Sequence, residues 1–172
     1  SGCDTILKAM HRRHDAAQFA ELVRRAATEV PDICLGTDIL TGFPGETESH
    51  FAETFDLLDA LPLAYFHVFS YSERSRARSR HLPGKVSEEV KAERSARLRG
   101  LSLKKRHAYF RRFLGTRQLV LFEEEKKGIW SGVTDTFIRV RVRSAEPLHN
   151  QLRPVHLEKI EELSVFGTLV TE

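Results

Sequence analysis

Cysteine is scarce in this chain: there are two, Cys3 and Cys34, and no Cys-x-x-Cys pair. Neither a zinc site nor an iron–sulfur cluster can be built from these thiols alone. Reduced thiols in a cytoplasmic protein are the default expectation. Long apolar runs are missing as well. No stretch approaches the ~20 residues of a membrane span, so no membrane partner is expected. No secretory or transit signal is visible. The sequence opens Ser1-Gly2-Cys3-Asp4, without a Met, and reads as a fragment of something longer. Internal repeats and low-complexity stretches are absent. Disorder is excluded by a composition of 41% hydrophobic and 30% charged residues over 172 positions, enough for one medium domain or two small ones. The net charge of +3 is too mild to imply nucleic acid by itself, so local charge density has to carry that argument.

The most informative stretch is Thr37-Asp38-Ile39-Leu40-Thr41-Gly42-Phe43-Pro44-Gly45-Glu46-Thr47. An apolar run over 33–40 predicts a buried strand, near-continuously apolar as for a parallel strand covered on both faces. A Gly-Pro-Gly loop follows. Then Phe51, Phe55 and Leu58 recur at helical spacing over 48–61 until Pro62. Strand, sharp loop and helix make half of a βαβ unit, and loops at strand C-terminal ends line ligand sites in such folds. Gly42 and Gly45 allow a tight turn and close approach to a ligand. Asp38 inside an apolar strand is costly to bury without a partner. Ordinary turn chemistry with a structural Asp and a ligand-lining loop are equally open at this point.

Upstream, residues 1–14 read as a connector carrying the basic cluster His11-Arg12-Arg13-His14. Asp15 with Gln18 three residues later predicts an N-cap for a helix that Pro31 stops. Downstream, Tyr65-Phe66-His67-Val68-Phe69 predicts a second buried strand ending in Ser70-Tyr71-Ser72, with His67 read as a core residue rather than a ligand. An arginine-rich loop over 74–80 leads to a long helix capped by Ser87, running to about 114 and ending at Gly115. Its second half is strongly basic, and part of that charge is explained by the helix dipole.

From Thr116 the period changes. Segments 118–122, 128–133, 137–143, 152–157 and 165–170 are short strand candidates, the third alternating Ile138, Val140 and Val142 with Arg139, Arg141 and Arg143. Five short strands suggest a small closed or partly open barrel of OB type. The boundary is placed near 115, giving units 1–115 and 116–172. Nucleic-acid binding needs cations for phosphates and aromatics or hydroxyls for bases. The candidates are Arg139, Arg141 and Arg143 on one strand face, Trp130, Thr134 and Phe137 flanking it, and Lys126 and Lys127 in an adjoining turn. An ordinary polar barrel face, with Trp130 and Phe137 in the core, is the alternative.

Taken together, Ser1-Gly2, Leu7-Lys8-x-Met10-x-Arg12, the Thr37 to Thr47 block and Tyr71-Ser72-x-Arg74 resemble the radical S-adenosylmethionine methylthiotransferases, and the tail resembles their RNA-binding TRAM barrel. The match runs in order along almost the whole chain. Among the family's branches, the one modifying threonylcarbamoyladenosine next to the tRNA anticodon looks most similar. The resemblance implies an α/β fold: the C-terminal part of a radical (β/α) barrel, then the TRAM barrel. It implies a parent enzyme that uses S-adenosyl-L-methionine and two 4Fe-4S clusters, and that inserts a methylthio group at C2 of adenosine through a 5′-deoxyadenosyl radical. None of the cluster ligands is in this chain, which would depend on N-terminal domains and be inactive alone. Expected partners are the tRNA anticodon stem-loop and S-adenosylmethionine. Expected cofactor-binding residues are Arg12, Asp38, Gly42, Phe43, Ser70, Tyr71 and Ser72, with Arg12 on the methionine carboxylate and Asp38 structural or one step removed. The family loop after Tyr-Ser-x-Arg usually carries Thr and small residues; here it reads Ser75-Arg76-Ala77-Arg78-Ser79. Two other readings compete: a stand-alone RNA-binding module, and a methylthiotransferase acting on a ribosomal-protein aspartate.

Overall fold

The structure, a computed structural model, describes residues 1–74 and 77–170. Ser75 and Arg76 of the arginine-rich loop lie outside the described residues. The chain divides into two compact units, Ser1–Lys105 and Arg106–Glu172. No helix among the described residues is long and apolar enough to cross a membrane.

The first unit is α/β. Its elements are α1 (Asp4–Ala9), α2 (Ala16–Glu29), β1 (Gly36–Thr41), α3 (Glu48–Ala60), β2 (Tyr65–Ser70), a 3₁₀ turn (Arg78–His81) and most of α4 (Glu88–Arg111). The stretch expected as a connector thus contains a short helix. Asp15 and Gln18 form the expected capping box on α2, and Thr47 with His50 forms another on α3. β1 and β2 pair in parallel, Gly36 opposite Tyr65 through Thr41 opposite Ser70. Helices cover one face of this pair. Ile39 and Phe66 are buried there with Phe51, Leu58, Leu98 and Leu101. Full burial of each such side chain stabilises by roughly 1.5–3 kcal/mol. The outer edge of β2 is satisfied by a helix: the Ser102 hydroxyl accepts from Phe66 N–H at 2.9 Å and donates to its carbonyl at 2.8 Å. At the end of α3, Lys105 Nζ donates to the carbonyls of Asp59 and Leu61 at 2.9 and 2.7 Å, and burial pulls its pKa down.

Two expectations are corrected here. β1 and β2 are covered on one face only, so Asp38 and His67 are exposed rather than buried. The apolar run over 33–40 hid this because Gly36 and Asp38 are the residues that alternate outward.

In the second unit, β3 (Arg117–Lys126), β4 (Ile129–Thr134), β5 (Arg139–Arg143), β6 (Leu152–Glu161) and β7 (Ser164–Leu169) form a closed barrel in the order β3-β4-β5-β7-β6, with β6 returning to β3. All five expected strands are present. β5 and β7 pair in parallel and the other neighbours antiparallel, an OB-like arrangement. Val120, Phe122, Ile138, Val140, Val142, Val155, Leu157 and Val165 are fully buried inside it. The division between units falls at 105/106 and not at 115, because Tyr109, Phe110 and Phe113 are buried and the Tyr109 hydroxyl donates to the Thr136 carbonyl at 3.1 Å.

β3 and β4 approach closely at Gly132, where an added Cβ would run into the Leu121 carbonyl oxygen. The obstacle is backbone, so it cannot rotate away. Gly132→Ala is expected to destabilise the barrel by about 1–3 kcal/mol. Urea unfolding followed by fluorescence of Trp130, the single tryptophan, checks this.

Candidate functional site

The β1–α3 loop is built by a buried ion pair. Glu46 and Arg94, exposed by 6% and 4%, meet at 2.8 Å. The Glu46 carboxylate also accepts from Gly42 N–H at 2.8 Å and from the Thr41 hydroxyl at 3.1 Å. Arg94 Nη1 donates to the Glu46 carbonyl at 3.0 Å, and Nη2 reaches Glu48 at 3.3 Å. The Arg94 guanidinium lies 5.4 Å from the Phe51 ring centroid. A carboxylate folded back under its own loop sets the left-handed turn at Gly42, whose φ is +77°. It also aims Phe43 at Tyr71, edge to face at 5.4 Å. Arg97, on the same helix, bonds Glu48 at 2.8 Å, and that bond holds the Glu48 carboxyl below the usual carboxylate range.

In front of this loop is a cavity of about 1090 Å³. Arg12, Asp38, Phe43, Ser70, Tyr71 and Ser72 all line it. They come from three places: the turn after α1, the β1 strand with its loop, and the tip of β2. Gly42 does not line it. It borders a separate 360 Å³ cavity with Lys91, and a Cβ there would strike the Lys91 side chain. The Ser70 hydroxyl lies 2.8 Å from Ser95 Oγ of α4. The Tyr71 hydroxyl donates to Ser79 at 3.0 Å. Asp38 is exposed, and the burial cost expected for it does not arise.

The sequence reading missed His14, Tyr65, His67, Phe69 and Arg74, which also line this cavity. Period-two alternation along β2 was the available signal, since Tyr65, His67 and Phe69 sit at i, i+2 and i+4. Arg94 carried no signal, standing among many charged residues of one helix.

A 4Fe-4S cluster requires several thiolates. Cys3 is buried and Cys34 half-buried, and the described residues include no group of three or more His, Cys, Asp or Glu able to hold a metal. The residues of this chain do not fit such a cluster.

On the barrel, Arg139, Arg141 and Arg143 line the outer side of β5. Arg143 stands opposite Ile129, which brings the Lys126–Lys127 turn to one end of the row. Phe137 is at the other end, 76% exposed and in the left-handed region at φ +59°. Trp130 and Thr134 point inward and are buried, which removes them from the exposed surface. β4 alternates so that even-numbered positions face the core, and the Thr134 hydroxyl accepts from Ile138 N–H at 3.0 Å. Arg141 is 3.4 Å from Glu161, and Arg139 is 3.9 Å from Glu123. Lys159, hydrogen-bonded to Glu161, holds that carboxyl below its ordinary pKa.

No protein-family model matches the chain. A protein of Pseudomonas paraeruginosa named tRNA-2-methylthio-N(6)-dimethylallyladenosine synthase is 33% identical over 99% of the chain, which covers 39% of that protein. One of the same name from Jannaschia sp. is 34% identical over 99% of the chain and 37% of its own length. Another, from Nitratidesulfovibrio vulgaris, is 42% identical over 72% of the chain and 27% of its own length. The chain thus spans about two fifths of the length of the first two relatives. These similarities support kinship with the methylthiotransferases. They do not support the threonylcarbamoyl branch expected from the sequence, because the relatives carry the dimethylallyl name.

Proposed function

We propose that this chain is part of a tRNA methylthiotransferase that modifies C2 of an adenosine beside the anticodon, and that it contributes a wall of the S-adenosylmethionine pocket together with an RNA-binding barrel. The N6-dimethylallyl form is the favoured nucleoside, on the names of the relatives. One observation supports the pocket most: the turn after α1, Phe43 of the β1–α3 loop and the β2 tip converge on one cavity. The chain's residues fit an adenosyl-methionine ligand. Arg12 offers a planar fork to a carboxylate, Phe43 and Tyr71 make an apolar edge, and the backbone of 70–72 offers polar groups. When bound, S-adenosylmethionine supplies the reactive adenosyl and methyl groups. The protein orients it and excludes water. Cluster ligands and the remaining domains would come from the rest of the parent, and a cytoplasmic setting suits a tRNA substrate.

Calorimetric titration with S-adenosylhomocysteine tests the pocket. Arg12→Ala is expected to weaken binding about tenfold or more, the loss of a charge-assisted bidentate contact. Equal affinity would remove Arg12 from the site. The absence of binding by the unmodified chain would favour an RNA-binding module without catalysis. For the parent, mass spectrometry of tRNA from a strain lacking its gene reads the nucleoside directly; a methylthio group lost from a protein aspartate instead would favour the ribosomal-protein reading.

A further inference from the structure

We infer that the floor of the 1090 Å³ cavity is a second subsite, behind the strand tips, that takes the base of one nucleotide of single-stranded RNA against His67 and Phe69; the identity of the nucleic acid rests on the function proposed above.

The pleat of the β1–β2 pair makes the floor. Gly36, Asp38 and Leu40 of β1 line the cavity, with Tyr65, His67 and Phe69 opposite them in register on β2. Three rings therefore stand in a row, carried by residues about 6.6 Å apart along the strand backbone. Tyr65 and His67 meet edge to face at 5.3 Å. Gly36 is what lets the Tyr65 ring lie across β1: an added Cβ would come within 2.5 Å of Tyr65 Cζ. His67 is exposed, and Phe69 is 52% exposed, inside a concavity. Among the described residues, the lining also contains Arg12, Arg74 and His14 against a single carboxylate, Asp38.

Stacking surfaces beside cations are the chemistry that holds single-stranded nucleic acid, rings taking bases and cations taking phosphates. A base reaches such a floor only once it has left its stack. Asp38, in register with His67, places an acceptor beside the ring row, suited to the amino group on a purine edge. Length along the strands leaves room for a second group: the floor extends back from Thr41 and Ser70 by five residues, roughly 16 Å. An adenosyl group at the tips leaves that floor open.

The test uses the whole chain, a short single-stranded RNA carrying 2-aminopurine, and S-adenosylhomocysteine. Binding is expected to quench 2-aminopurine by stacking. His67→Ala and Phe69→Ala should each lose most of the quench and weaken the RNA about tenfold, and His67→Phe should restore it. S-adenosylhomocysteine affinity should stay within about twofold in His67→Ala, and saturating S-adenosylhomocysteine should leave the quench in place. Wild-type quench in both alanine variants, or displacement of the RNA by S-adenosylhomocysteine, overturns the subsite. Absent S-adenosylhomocysteine binding with a quench still dependent on His67 would overturn the adenosyl pocket and leave this subsite standing. Absent RNA binding at low salt overturns both the RNA reading and the subsite.

Discussion

Arg94→Ala is expected to destabilise the first unit by about 3–5 kcal/mol, because it leaves Glu46 charged and buried without its partner. The carboxylate keeps the Gly42 N–H and Thr41 hydroxyl, at 2.8 and 3.1 Å, but two neutral donors do not offset the lost guanidinium. Glu46→Gln should cost less, about 1–3 kcal/mol, since the amide oxygen can still accept from Gly42 and the Arg94 charge retains Glu48 at 3.3 Å. The pair should be non-additive: Glu46→Gln combined with Arg94→Met removes both charges and should cost less than the two single changes summed. Urea unfolding followed by the helical circular dichroism signal measures all three. A loss below about 1 kcal/mol in Arg94→Ala would mean that water reaches Glu46 and that the loop is not held by this contact. Binding should follow stability only in part. Under conditions where the Arg94→Lys protein is still folded, a lysine cannot reproduce the paired contacts to Glu46 and Glu48. Phe43 would lose its aim at Tyr71, and S-adenosylhomocysteine should bind several-fold more weakly.

That network also shows where the sequence was readable and where it was not. Local chemistry was legible. The Asp15–Gln18 box, the Gly-Pro-Gly turn and the five barrel strands each follow from residues close together in the chain. The alternation of Ile138, Val140 and Val142 with three arginines predicted its strand because one residue type faces each side. The face of α4 that covers β2 was not legible. Its buried positions, Lys91, Arg94, Ser95, Leu98, Leu101 and Ser102, keep perfect helical spacing, yet four of the six are polar. Three of the four are satisfied by partners distant in sequence: Glu46 for Arg94, the Phe66 backbone for Ser102, Ser70 for Ser95. No periodicity argument finds a stripe whose membership depends on such partners. The same limit explains β1 and β2. An apolar run reads as a strand buried on both sides, and only the register reveals that Asp38 and His67 share an open face. Trp130 failed for the opposite reason: an aromatic beside a basic strand suits either an RNA surface or a core, and the pleat of β4 places it inside.

Replacing Arg139, Arg141 and Arg143 together by alanine is the surface change with the largest expected effect. Each phosphate neutralised on single-stranded RNA contributes about 0.7 to the slope of log K against log salt. Removing three such contacts should lower the slope by about 2 and weaken low-salt binding by one to two orders of magnitude. The fold should be unaffected, because these side chains are on the solvent side of β5 while Val140 and Val142 fill the barrel. The arginines are not all equally available. Arg141 is 3.4 Å from Glu161, which Lys159 also engages at 2.8 Å, and Arg139 is 3.9 Å from Glu123. These exposed pairs are each worth about 0.2–1 kcal/mol, so RNA phosphates can displace them at small cost. A second result follows from this. Glu161→Gln frees Arg141 of its internal partner and should tighten RNA binding by about 1.5- to 5-fold, the same 0.2–1 kcal/mol read as affinity. Filter binding or fluorescence anisotropy from low to physiological salt measures both effects. An unchanged slope in the triple variant would remove the β5 row from the RNA surface. A Glu161→Gln protein that bound more weakly would show that Glu161 contacts the RNA rather than restraining Arg141.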